Sequence, residues 1–258
     1  MSTQKNQNKI IIGNWKMKKD LNESVDLAKD LKNKFKGFKK GEVAVCPDFV
    51  SLRSVKRNLS GSGIQLGAQD VFWEEAGSFT GEISPETLKQ AGCKYVIIGH
   101  SERRKHLLEN YSMIHQKIKA VLDVDGLVPV VCVGESIEDK KTDKRDYVIL
   151  DQLQQSLGGV NIMKKQEVVV AYEPVWAIGS GMPIKPKEAK YAHKIIKLAL
   201  NDMFGMAAIN NNFKVIYGGS VNSKNVKDFT ESDNLDGLLL GGASLDAEEF
   251  YKVANALL

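Results

Sequence analysis

The sequence predicts an α/β fold, a single-domain (β/α)8 barrel, and three observations lead there. Short runs rich in Val, Ile, Leu and Ala recur eight times, segments with helical spacing separate them, and no linker or break in composition divides the 258 residues. One unit spanning 1–258, with a polar extension at 1–8, is therefore expected. Domains commonly run to ~150 residues, but α/β barrels of this length are often a single unit. An open doubly wound sheet accepts the same order of elements, because strand order is not visible in a sequence. The unbroken chain favours the barrel.

The expected strands are 9–15, 42–47, 64–69, 94–99, 128–133, 167–172, 213–217 and 235–240. Most are nearly continuous in apolar residues instead of alternating with polar ones, as in parallel strands buried on both faces. Between the first two, Leu21, Val25, Ala28, Leu31 and Phe35 recur at helical spacing on one face. The lysines around them, interleaved with Glu23, Asp26 and Asp30, read as a solvated face. Before the fourth strand, Ser84 suits a cap, Pro85 the first helical position and Gly92 the left-handed C-terminal position. Ala192, Ile195, Ile196, Ala199, Leu200 and Met203 define a helix before the seventh, and Asp246 with Glu249 resembles a capping box before the last helix.

Composition excludes several classes. Apolar residues make up 43% and charged residues 26%, which is ordinary globular usage. The net charge of +4, with no aromatic interleaving of the lysines, argues against nucleic-acid binding. No run of about 18 apolar residues could cross a membrane, and the start MSTQKNQNK lacks the apolar stretch of a signal peptide. Cys46, Cys93 and Cys132 are far apart and form no C-x-x-C, so neither a disulfide framework nor a zinc cluster is expected. A cytoplasmic location follows as the default.

Polar residues gather at the ends of the runs. Asn14 and Lys16 end the first, Gln69 the third, His100 the fourth, Cys132 to Glu135 the fifth and Glu173 the sixth. Gly218-Gly219-Ser220 and Gly241-Gly242 end the last two. In a parallel barrel these ends share one face, where reactive side chains read as catalytic. Glu173 follows a buried run, so desolvation is expected to raise its proton affinity and make it a base; a structural Glu paired with a Lys or Arg is the competing reading. His100 precedes a helix start, Ser101-Glu102-Arg103-Arg104, whose dipole is expected to lower its pKa and keep it neutral. A satisfied core histidine is the competing reading, and it is the one given to His106, His115 and His193, which lie on charged or boundary faces of helical segments. Lys16 suits a phosphate or a developing oxyanion, against the alternative of a surface lysine. The two glycine loops let backbone N–H groups approach an anion, although neither is a Walker A motif. The apolar stretch 174–184 reads as a lid or as a statically packed loop. The segment 71–83, with Phe72, Trp73 and Phe79, reads as a protein–protein contact or a second lid.

Taken together, these residues resemble the triosephosphate isomerase family. The resemblance is carried by Asn14-Trp15-Lys16, Gly67-Ala68-Gln69, Phe79-Thr80-Gly81-Glu82, Gly99-His100-Ser101-Glu102-Arg103-Arg104, Cys132-Val133-Gly134-Glu135, Ala171-Tyr172-Glu173-Pro174-Val175-Trp176-Ala177-Ile178-Gly179, Tyr217-Gly218-Gly219-Ser220-Val221, and Asp236-Gly237 through Gly241-Gly242-Ala243-Ser244. It implies a TIM barrel that interconverts dihydroxyacetone phosphate and D-glyceraldehyde 3-phosphate through an enediolate. The resemblance makes Glu173 the base, His100 the electrophile, Lys16 and Asn14 substrate-binding catalytic groups, and Glu102 the residue that positions Lys16. Gly179, Ser220, Gly241 and Gly242 would bind the phosphate through the backbone. It implies no metal or organic cofactor, and a homodimer with the loop around Thr80 at the interface. The chain departs from the family pattern at Asp70 (usually Asn), Ser78, Ser180, Met182 and across 140–147. Two other readings share the fold: another sugar-phosphate barrel enzyme, though no Schiff-base lysine ends the sixth run, and a catalytically silent binding or scaffold protein. A scaffold would not need Lys16, His100 and Glu173 together.

Overall fold

The computed structural model describes residues 9–177, 184–230 and 235–258. Eight parallel strands form a closed barrel in chain order: β1 (Ile10–Asn14), β2 (Glu42–Cys46), β3 (Gln65–Ala68), β4 (Cys93–Ile98), β5 (Val128–Val133), β6 (Val168–Tyr172), β7 (Phe213–Gly218) and β8 (Gly237–Leu240). The open-sheet alternative is thereby excluded, because β1 pairs with both β2 and β8. At that closure a Cβ on Gly237 would lie 2.0 Å from the Ile10 carbonyl oxygen, so only glycine lets the last strand reach the first. The polar extension at 1–8 lies outside the described residues.

The outer layer holds α1 (Leu21–Lys34), α2 (Leu52–Asn58), α3 (Pro85–Gln90), α4 (Ser101–His106), α5 (Tyr111–Leu122), α6 (Ile137–Lys141), α7 (Arg145–Leu157), α8 (Pro186–Phe204), α9 (Met206–Asn212), α10 (Lys227–Thr230) and α11 (Ala247–Leu257). Unbroken apolar strands are explained by two cores. Ile10, Ile12, Ala44, Tyr95, Val130 and Ala171 point into the barrel. Their neighbours Ile11, Val43, Val45, Val96, Val131 and Val170 point outward and pack under the helices. Alternation exists in direction but not in polarity, because water reaches neither face.

Helix ends follow local chemistry. Ser84 caps α3 by accepting the Thr87 N–H, Pro85 opens it, and Gly92 beyond it takes φ +90°. The face of α1 is rotated from the expected one: Ser24, Leu27, Ala28 and Leu31 are buried while Leu21 is 43% exposed. The capping box expected before α11 is half formed. Asp246 accepts the Glu249 N–H at 2.8 Å, but the Glu249 carboxylate instead accepts the Ser223 N–H and hydroxyl at 2.6 and 2.9 Å. A tertiary partner has displaced the local one. His193 is a core histidine, as expected, but it sits fully buried on the inner face of α8 and not on a charged or boundary face. No helix among the described residues is long and apolar enough to cross a membrane.

Candidate active site

A cavity of 430 Å³ opens at the C-terminal ends of the strands, walled by Asn14, Lys16, His100, Glu173, Ser220 and the Gly241–Gly242 pair. Its walls come from β1, β4, β6, β7 and β8, so barrel closure alone gathers residues more than 200 positions apart. Gly179, expected at this site, lies outside the described residues, as do Ser180 and Met182.

Lys16 is held in an unusual backbone state, with φ +54°. For a non-glycine residue this conformation costs on the order of 1–3 kcal/mol and persists only where the surroundings enforce it. They do so from three sides. The Asn14 Oδ1 accepts the Lys16 N–H at 3.0 Å. Gln69 Nε2 donates to the Lys16 carbonyl at 2.8 Å and to the Cys46 carbonyl at 3.0 Å. The ammonium reaches Glu102 Oε1 at 2.6 Å.

His100 is the N-cap of α4, and its own ring performs the capping: Nδ1 accepts the Glu102 backbone N–H at 3.2 Å. Only an unprotonated Nδ1 can accept, which places the ring proton on Nε2. Nε2 lies 3.3 Å from Glu173 Oε1. This contact reverses both pKa directions expected from the sequence. Burial works against a charged His100, but the carboxylate outweighs it and raises the imidazole above its ordinary value. Burial likewise works against a charged Glu173, but His100 and then Lys16 outweigh it and bring the carboxyl below its ordinary value. Apart from Glu173, burial and the Lys16 charge favour a neutral ring, and Glu102 opposes them as the last of the causes.

Glu173 is packed with little freedom. Its N–H donates to the Val133 carbonyl at 2.7 Å. A Cβ on Gly134 would stand 1.8 Å from the Glu173 carbonyl oxygen, and one on Gly218 would stand 2.8 Å from its Cγ. These two glycines make room for the residue, a role the sequence does not disclose because turn glycines are common at strand ends. Among the described residues one carboxylate oxygen, Oε2, is buried with no oxygen or nitrogen donor, and the Cys132 thiol is the other side chain against the carboxylate. Such a group is costly unless it has work to do.

The segment after Glu173 is anchored by Glu135. That buried carboxylate accepts the Tyr172 hydroxyl at 3.1 Å and the Trp176 indole N–H at 2.9 Å, while its carbonyl accepts the Val175 N–H at 3.1 Å. Ser220 Oγ donates to the Ala177 carbonyl at 3.0 Å. Behind α4 lies a buried ring of four charges. Lys117 donates to Asp70 at 2.7 Å and Glu109 at 3.0 Å, and Arg103 contacts the same two carboxylates at 2.7 Å each. Asp70 thus gives the two cations a second anion. Among the described residues no group of His, Cys, Asp or Glu could hold a metal ion.

Fold and cavity together define a (β/α)8-barrel protein with an acid–base pair and an ammonium group at the C-terminal mouth of its strands. The sequence profile of the family described as triosephosphate isomerase matches residues 9–257. Proteins named triosephosphate isomerase are similar along almost their whole length. The one from Dictyoglomus turgidum is 40% identical over 248 residues, covering 96% of this chain and 99% of that one. The one from Dehalococcoides mccartyi strain BAV1 is 44% identical over 246 residues, 95% of each chain. The one from Caldanaerobacter subterraneus subsp. tengcongensis is 44% identical over 246 residues, 95% of this chain and 98% of that one. The chain belongs to the triosephosphate isomerase family.

Proposed function

We propose that this family member interconverts dihydroxyacetone phosphate and D-glyceraldehyde 3-phosphate through an enediolate. Glu173 removes a proton from the carbon next to the carbonyl and returns it to the adjacent carbon. His100 presents Nε2–H to the carbonyl oxygen and then moves protons between the two enediol oxygens. The Lys16 ammonium offsets the charge that develops on those oxygens and holds the phosphate, Asn14 orients the substrate, and Glu102 positions Lys16. Backbone groups of Gly179, Ser220, Gly241 and Gly242 bind the phosphate. The carrying observation is the Glu173 carboxylate: it is buried, one oxygen lies 3.3 Å from the His100 imidazole, and the other has no oxygen or nitrogen donor among the described residues, so it is open to take a proton from a substrate. The reaction needs no metal or organic cofactor in this scheme. A coupled assay on glyceraldehyde 3-phosphate tests it. Glu173→Gln is expected to lower turnover by about 10²–10⁴-fold or more while the protein stays folded, and near-normal turnover in that variant would remove Glu173 from the role.

The protein is also proposed to act as a homodimer. Met17, Val50, Leu107 and Leu108 are 94%, 80%, 58% and 80% exposed, and Phe49 and Phe79 are partly so. They follow β1, β2 and β3 and end α4, which places them on neighbouring connections of the barrel mouth. So much apolar surface in one region marks a contact, and the loop around Thr80, where Phe72 stacks with Trp73 at 4.1 Å and meets Phe79 at 4.6 Å, is stiff enough to insert into a partner. Sedimentation near twice 28.5 kDa is expected. The proposed compartment is the cytoplasm, where the free, buried Cys46, Cys93 and Cys132 stay reduced.

A further inference from the structure

The stretch that departs from the family pattern begins at Lys140, and Lys140 meets the segment that follows Glu173. Its ammonium sits 3.4 Å from the centroid of the Trp176 ring. It also donates to Glu188 Oε2, in the first turn of α8, at 3.4 Å. The Trp176 indole is thus gripped twice: Glu135 accepts its N–H at 2.9 Å, and Lys140 lies against its face. Both grips come from one short piece of chain. Glu135 directly precedes α6 and Lys140 lies near its end. The helix is fixed at its start by a reciprocal cap, in which Ser136 accepts the Asp139 N–H and Asp139 accepts the Ser136 N–H and hydroxyl. Trp176 lies in the 3-10 turn Val175–Ala177, and only Pro174 and Val175 separate it from Glu173. Pro174 cannot absorb rotation about φ, so the orientation of the indole is passed to the carboxylate.

We propose that Lys140 is a positioning residue for Glu173, acting through Trp176. This rests on the reading of Glu173 as the base. An ammonium on the face of an indole is attracted by the ring's negative face, and the attraction grows as water is excluded. Here it presses Trp176 onto Glu135 and fixes the turn from which Glu173 is aimed. Glu188 meets the same ammonium at 3.4 Å in a partly exposed pair that adds little to its hold on the indole.

Lys140→Met keeps the aliphatic stem and removes the charge, and Lys140→Arg restores a cation. Lys140→Met is expected to lower kcat about three- to tenfold with KM within about twofold, and Lys140→Arg to recover most of the loss. Glu188→Gln leaves the Trp176 contact in place and is expected to stay within about twofold of the unmodified protein. A readout independent of turnover accompanies these. With ¹⁵N-labelled tryptophan, the Trp176 indole N–H is expected to exchange with solvent about three- to tenfold faster in Lys140→Met, while those of Trp15 and Trp73 are unchanged. An unchanged kcat and exchange rate overturns the proposal, as does a loss confined to KM or one that arginine does not rescue. A Glu188→Gln defect as large as that of Lys140→Met would assign the effect to α8 and overturn the route through Trp176. If the unmodified protein has no isomerase activity, the base reading fails and takes this role with it. If it is active and Lys140→Met is indistinguishable, this role alone fails.

Discussion

His193 makes the fold sensitive to acid, by an amount that can be worked out. The imidazole is 1% exposed on the inner face of α8, with Nδ1 2.8 Å from the Ala189 carbonyl and its edge toward the Tyr172 ring. A proton on Nδ1 donates to that carbonyl, and Nε2 is buried, with the Ile216 backbone as its neighbour. Burial therefore lowers its pKa from 6.5 to about 4. The unfolded chain takes up a proton as pH falls through 6.5, whereas the folded chain does not until about 4, so acid favours unfolding across that window. The full difference is about 3 kcal/mol, of which about 2 kcal/mol is lost between pH 7 and pH 5. Chemical denaturation at fixed protein concentration and a series of pH values measures the slope. His193→Asn can still donate to the Ala189 carbonyl but cannot titrate, so it should flatten the slope in this window while costing some stability at pH 7 through the smaller side chain. If the asparagine variant loses stability with falling pH as steeply as the unmodified protein, His193 is not the source. The carboxylates of the buried ring behind α4 would then be the next groups to test.

Other outcomes follow from the same geometry. Glu173→Asp withdraws the carboxylate by one methylene from an enforced position and should cut kcat by orders of magnitude with a far smaller change in melting temperature, read by assay and calorimetry. Gly134→Ala drives a Cβ into the Glu173 carbonyl oxygen and should cost about 3 kcal/mol or more in stability together with most of the activity; a stable, active variant would show that this contact can relax. Lys117→Met leaves Asp70 and Glu109 facing Arg103 alone and should destabilise the fold by about 3–5 kcal/mol in denaturant titration. Leu108→Asp puts a charge on the exposed apolar surface, and sedimentation should shift toward 28.5 kDa.

All eight strands were legible because burial on both faces leaves a strong apolar signature, and their observed ends lie within two residues of those expected. Gathering of Asn14, Lys16, His100 and Glu173 was legible too, since parallel strands send all their C-terminal ends to one side. What the sequence did not disclose depends on partners distant along the chain. Glu173 and His100 each looked like a group perturbed by its own surroundings. Their contact, made across the mouth from β4 to β6, inverts both shifts. His193 reads from the sequence as a core histidine at a charged or boundary helix face, and the fold takes it fully inside, against Tyr172 of β6. Gln69, Gly134 and Gly218 stand out in the sequence only as strand-end residues, with no sign of what they do for Lys16 and Glu173. Their roles are to hold a carbonyl or to leave space, and only the coordinates of the neighbours reveal that.

The seam between β1 and β8 has a consequence for how the protein is made. Lys16 leaves the ribosome well before Gly241 and Gly242, which follow more than 200 residues later. Until β8 emerges, β1 keeps an unpaired edge, and Phe35 waits for its ring contacts with Phe250 and Tyr251. A chain that stops short of β8 leaves an open, adhesive sheet, so catalysis and protection from aggregation arrive together, with the strand that closes the barrel.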